Sequence, residues 1–377
     1  MLTSIIAVVF TFGLVIFLHE LGHFLVCKYV GIRVDEFSFG FGKELYGFTR
    51  GVTRYSVRLI PLGGYVKPAG EDLDEEDAAG GKEGSAAEQK PRELAPDMYF
   101  AKPWYTRLAV VFAGPVMNYL LAFVLFSGVI IAMGEPVPSR ETVIGEVNAG
   151  FPAEAAGLKS GDRVVKVAGQ AVDSWDAMAA EIHARAGKQL VLVYSREGKE
   201  TSLKITPRLH NAGGKSWGVI GISPSVAYKP VPLLKGLGMG LHQCWYWTAF
   251  TVKTLASNIQ KREKPDLAGP IGIVNIVSKA AHSGFADFLF LIGLISVAVG
   301  FFNLLPIPLL DGGHAVLFIF EGVSRRKLTP EVMKYVNLAG VTVLAAILVF
   351  ATYSDIMRIK SNRDAKKAAA AAAAPEK

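Results

Sequence analysis

Cysteine is nearly absent. The 377 residues hold two, Cys27 and Cys244, far apart and without Cys-x-x-Cys spacing, which excludes a disulfide framework and a thiolate zinc cluster. Charge is scarce as well. Asp, Glu, Lys and Arg make up 19% of the chain against 51% hydrophobic residues, and the mean hydropathy is +0.33. That is too apolar for an ordinary soluble chain of this length, so membrane spans are expected. The net charge of +7 does not point to nucleic acid. Its lysines and arginines fall in loops and around apolar segments, not along one helix face or among strand aromatics. The first apolar run also lacks a basic leader and an A-x-A-like cleavage site, so it reads as a helix that stays in the mature chain.

What is present is long hydrophobic runs. Residues 4–30, 104–133, 285–305 and 332–353 each hold the roughly 20 apolar residues that cross a hydrocarbon core. The connection after the first run carries Arg33, Lys43, Arg50, Arg54, Arg58 and Lys67, and the one before the last carries Arg325, Arg326 and Lys327. The positive-inside rule places both in the cytoplasm and the long middle segment outside. The basic residues after Tyr353 argue the other way, but four spans return the tail to the side of the N-terminus.

The connections differ in texture. In 31–70, "RYSVRLIPLGGYVKPAG" alternates β-formers with Pro61, Gly63 and Gly64, predicting short strands or a hairpin. Residues 71–103 open on "EDLDEEDAAGGKEGSAAEQK", an acidic stretch with little to bury, and read as a flexible linker. Residues 137–209 read as a small α+β domain, with strands at "TVIGEV", "DRVVKVAG", "KQLVLVYSREG" and "ETSLKITPRL" and a helix at "DSWDAMAAEIHARAG". Within it "PAEAAGLKSGDRVVKVAGQAV" resembles the core of a bacterial PDZ domain. Residues 210–283 form a connector, where 231–259 read either as an aromatic-rich helix lying on the membrane surface or as a fifth span. The Ala-rich tail, 358–377, is low-complexity.

The chemistry sits where charge is most costly. "FLHELGHF" ends the first apolar run with His19, Glu20 and His23, and each such group costs several kcal/mol in a bilayer unless compensated. Histidines four apart share one helix face and can hold one metal ion, with the glutamate beside them able to reach an attacking water. Neutral imidazoles suit Zn²⁺, which usually takes three protein ligands. The best third ligand lies roughly 290 positions on, in "FFNLLPIPLLDGGH", where Asp311 follows a Pro-broken apolar helix; His314 is its rival. Asn303 stands before the Pro-x-Pro break as a partner for a neighbouring helix or for substrate backbone. Cys27 reads as an ordinary buried cysteine, and Asn118 as a helix-packing contact beside Gly114 and Pro115.

"HELGH", "FAGPVMN", "AGPIGIV" (268–274) and "NLLPIPLLDGG", in that order around a PDZ-like insert, resemble the site-2 protease family of intramembrane zinc metalloproteases, in particular its bacterial, sigma-factor-regulating branch. The resemblance implies a polytopic α-helical membrane protein of about four transmembrane helices, with a membrane-associated β-hairpin and an inserted α+β PDZ domain. It implies Zn²⁺ held by His19, His23 and Asp311, Glu20 as catalytic base and Asn303 assisting substrate binding. It further implies a strand edge in 54–68 that pairs with an unwound substrate. The substrates it implies are single-pass anti-sigma factors already trimmed outside, and remnant signal peptides, in the bacterial inner membrane. The chain has room for one PDZ domain where enterobacterial members carry two in tandem. A catalytically idle PDZ scaffold and a zinc transporter are the competing classes. The intact Glu20 argues against the first, and the single compact metal constellation against the second.

Overall fold

A computed structural model describes residues 2–70, 95–212, 215–261, 269–326 and 330–372. The chain forms two compact units, one made of 1–129 with 234–377 and the other of 130–233.

The first unit starts with α1 (Leu2–Tyr29), 28 residues apolar on every face except at the histidines. At 1.5 Å per residue such a helix exceeds a hydrocarbon core of roughly 30 Å. Two long strands follow, β1 (Val34–Arg50) and β2 (Thr53–Pro68), paired antiparallel into a bulged hairpin. Phe37 and Phe39 on β1 pack against Phe17 of α1, and Phe37 also meets Phe24, which seats the root of the hairpin on the helix. The opposite face carries a polar set in which Arg58 donates to Glu36 (2.6 Å) and to Ser38 (3.0 Å). Farther along, Phe41, Leu45, Tyr46, Phe48, Leu59 and Ile60 are all exposed. Most of the expected acidic linker, 71–94, lies outside the described residues. Its last part is ordered: Tyr99–Ala101 form one 3₁₀ turn with Tyr99 buried. α2 (Trp104–Met133) then crosses back.

The second unit contains β3 (Glu135–Pro138), β4 (Ile144–Val147), α3 (Pro152–Ala155), β5 (Arg163–Val167), β6 (Gln170–Ala171), α4 (Trp175–His183), β7 (Leu190–Arg196), β8 (Lys199–Ile205), β9 (Arg208–Ala212), β10 (Lys215–Val219), β11 (Ile222–Pro224) and β12 (Val226–Lys229). Met178 and Ile182 of α4 pack with Val164, Val167, Leu190, Leu192 and Ile205 in one closed core. The sheet order is β6-β5-β7-β8, with three further two-stranded pairs. Two of those pairs correct the expected boundary at residue 209. β11 returns to β4 and β12 to β3, so the strands at 208–229 belong to the insert and not to a connector. Asp162, almost fully buried, accepts two hydrogen bonds from Arg196 at 2.7 Å and one from the Lys159 amide at 2.8 Å. Burial alone would raise its carboxyl, but these donors outweigh that and hold it below the usual carboxylate range.

Back in the first unit, α5 (Leu233–Lys261) is one long helix, followed by α6 (Pro270–Ser283). α5 lies against α2. Gly240 is so near Ser127 that a Cβ would collide with it, Cys244 packs with Ala122 and Phe126, and the Tyr119 and Thr248 hydroxyls bond at 2.9 Å. α5 therefore reaches the middle of a membrane-crossing helix, deeper than a helix resting on the surface would. α7 (Phe285–Asn303), α8 (Asp311–Ser324) and α9 (Pro330–Ala372) complete the unit. α9 runs well past the expected end of the last span, and its span-like part is Leu338–Arg358. Its buried Asp355 accepts the Gly269 and Gly272 amides at 3.1 and 2.8 Å, capping the start of α6. Among the described residues four helices are long and apolar enough to cross a membrane: α1, α2, α7 and that part of α9.

Candidate metal centre

Four helices of the first unit, with β2 and the turn at Tyr99, meet at one cavity. α1 turns Phe12, Ile16, His19 and His23, spaced for one helix face, toward it. α2 comes close because its contact positions are small. A Cβ at Gly22 would strike the Ala113 carbonyl, and a Cβ at Gly114 would strike both imidazole rings. α7 ends at Asn303, the chain turns through Pro306 and Pro308, and Leu309 takes a left-handed backbone (φ +76°). For a branched residue that conformation costs on the order of 1–3 kcal/mol and persists only where its surroundings enforce it. Gly312 and Gly313 lie so tightly under the Leu304, Leu305 and Ile307 carbonyls that neither has room for a side chain. The turn thereby aims Asp311, first residue of α8, back at the histidines.

The separations are short. Asp311 Oδ2 lies 3.2 Å from His19 Nε2 and Oδ1 lies 3.6 Å from His23 Nε2, while the two Nε2 atoms are 3.2 Å apart. One ligand atom from each residue falls within 4.8 Å of the others. The outer nitrogens are occupied, since His23 Nδ1 donates to the Val110 carbonyl (2.8 Å) and His19 Nδ1 faces the Asn118 side chain (3.1 Å). With those nitrogens protonated, both inner Nε2 atoms present lone pairs to a carboxylate. Asp311 Oδ2 is buried without a hydrogen-bond partner. Converging lone pairs repel one another, and a cation between them is what satisfies them, so the donor set fits Zn²⁺.

Glu20, Asn303 and Val66 of β2 line the same cavity of about 480 Å³. His314 also lines it but stands outside the three-residue group. Cys27 is buried in an apolar cluster with Ile32 and Val34. Among the cavity contributors that escape a reading of the sequence are Tyr99, from a stretch that reads as linker, and Val66 of β2.

A pair of helical histidines with an intervening glutamate and a distant carboxylate, set among membrane-crossing helices, defines a zinc metalloprotease of the membrane. The chain belongs to Peptidase family M50, whose model matches residues 7–347. It is similar to the zinc metalloprotease RasP of Geobacillus kaustophilus, 31% identical over an alignment of 421 positions, gaps included, that covers 95% of this chain and 98% of that one. It is also similar to a "putative zinc metalloprotease" of Clostridium acetobutylicum, 31% identical over 359 residues, 94% of this chain and 97% of that one. Among solved structures, the PDZ domain of an SdrC-like protein from Listeria monocytogenes matches 23% of this chain and 90% of its own at 24% identity and a TM-score of 0.20.

Proposed function

We propose that this zinc protease cuts transmembrane segments of single-pass membrane proteins, first an anti-sigma factor already trimmed outside the membrane, and second remnant signal peptides. The enzyme would reside in a bacterial inner membrane with its insert in the periplasm, a reading supported by the basic connections at 31–70 and 325–327. The observation that carries it is the convergence of His19, His23 and Asp311 within 4.8 Å, the histidines on a helix apolar enough to span a membrane and Asp311 at the start of α8, with Glu20 in the same cavity.

His19, His23 and Asp311 would hold Zn²⁺, which when bound supplies a Lewis acid for the scissile carbonyl and makes the attacking water more acidic. Glu20 takes the proton of that water and returns it to the leaving amine. Asn303, at the end of α7, offers its amide to substrate backbone, and its place in the cavity wall supports that role. A transmembrane helix hides its amides and must be extended before cleavage. Residues 54–57 of β2 are paired by β1 on both sides, but 64–68 pair with β1 on one side only, which leaves an edge there on which an extended substrate can pair.

The test is a Glu20→Gln enzyme in its native host. It should keep zinc, lose cleavage by a factor on the order of 10²–10⁴, and accumulate a membrane-bound stub identifiable by mass spectrometry. Wild-type turnover by that variant would overturn the proposal.

A further inference from the structure

We infer that Asn118 is a positioning residue for the metal centre: its side-chain oxygen accepts the Nδ1 proton of His19 and so fixes which nitrogen of that ring faces the metal. The inference rests on the ligand set proposed above.

The argument starts from the two nitrogens of His19. Nε2 points at Asp311 and at His23 Nε2, each 3.2 Å away. To coordinate, it must carry a lone pair, so the proton of the neutral ring sits on Nδ1. Nδ1 then needs an acceptor. The side chain opposite it is Asn118, fully buried, at 3.1 Å. An amide set nitrogen-first would bring two donors together there and leave Asn118 Oδ1 buried without a partner, at a cost of about 1–3 kcal/mol. A half-turn of the amide exchanges its oxygen and nitrogen over the same heavy-atom positions. That one exchange gives the His19 proton an acceptor and the orphaned oxygen a donor.

The surroundings hold Asn118 in place from the other side. Ser296 of α7 donates to its main-chain carbonyl at 2.8 Å, and a Cβ on Gly300 would lie 3.2 Å from its Cβ. One residue of α2 thus joins the α1 ligand to the helix that leads into Asp311. The two histidines differ here. His23 uses the Val110 main-chain carbonyl, which no side-chain change removes, whereas His19 leans on a replaceable group. The Gly114 carbonyl also lies within reach of the His19 ring, so the inference requires that this backbone group alone does not suffice.

The experiment titrates zinc on full-length protein in detergent against a competing chelator, with cleavage measured separately. Asn118→Leu keeps bulk and removes the acceptor, and its zinc affinity should fall about 10- to 100-fold. Asn118→Asp keeps the acceptor and should stay within about threefold of the parent, a spread smaller than the loss of such a partner produces. If the leucine variant does not fold, Asn118→Ala reads the same difference. Parental affinity without the acceptor would show that Gly114 suffices and would overturn the inference, as would an aspartate variant no better than the leucine one. His23→Ala runs alongside. If it keeps its zinc, the ligand set itself is wrong; if it loses zinc while Asn118→Leu keeps it, only the positioning role fails.

Discussion

Gly114 carries no functional group, yet it bears on the metal centre as directly as a ligand does. Any Cβ there meets both His19 and His23, so Gly114→Ala should displace at least one ring and lower zinc content by an order of magnitude or more, read by metal analysis of purified protein. Asp311→Ala should also lose the metal, whereas His314→Ala should keep it, because His314 lines the cavity without joining the converging group. The histidine pair and its glutamate were legible from spacing alone, since i and i+4 fix a shared face whatever the fold. Asp311 was legible because a carboxylate in an apolar setting demands a reason. Asn118 was visible as a polar residue in a span, but its partner lies 99 positions away and nothing local says toward which helix an asparagine turns. Tyr99 gave no signal at all.

At the level of elements, β2 brings Val66 to the wall of the cavity that Glu20 lines. Val66→Pro removes a strand N–H on which an extended substrate would pair, so turnover should drop on the order of tenfold, the worth of one well-placed hydrogen bond, while zinc content stays. Val66→Ala keeps the amide and should leave turnover near the parent's. Equal rates for the two would remove β2 from the mechanism. In the insert, Asp162 ties the start of β5 to β7 through Arg196. Its carboxyl is depressed in the folded state, so the stability it adds is complete above its unfolded value of about 4 and is lost as pH falls through the lower folded value. Hydrogen exchange across residues 144–222 of the intact protein should show that loosening on acidification. Arg196→Ala should blunt it, because the Asp162 carboxylate then loses its two strongest donors. Helices and local strands of the insert were readable from periodicity. The strands at 222–229 were not, because they pair with β3 and β4 some 80 residues earlier, and long-range pairing leaves no local mark. β1 escaped notice for a related reason: its glycines and charges break the alternation that a strand seated on one face would show.

For the whole molecule, the insert folds around its own core and, among the described residues, supplies none of those that line the metal cavity. A domain that adds nothing to the chemistry fits a role in access. Deleting 137–229 should let the enzyme cut substrates that still carry a bulky external domain, while pre-trimmed substrates are cut as before. The two enzymes would be compared at matched membrane levels on both forms of one substrate, and a deletion that still spares the untrimmed form would rule out a size filter. The three converging residues stand far apart in the sequence, two before residue 24 and one at 311. Synthesis at 5–20 residues per second separates their appearance by roughly 15–60 s. On the proposed ligand set, a nascent chain holds only two of its three metal-binding residues throughout that interval and is unable to cut. Competence waits for Asp311, so the order of residues along the gene works as a built-in safety catch.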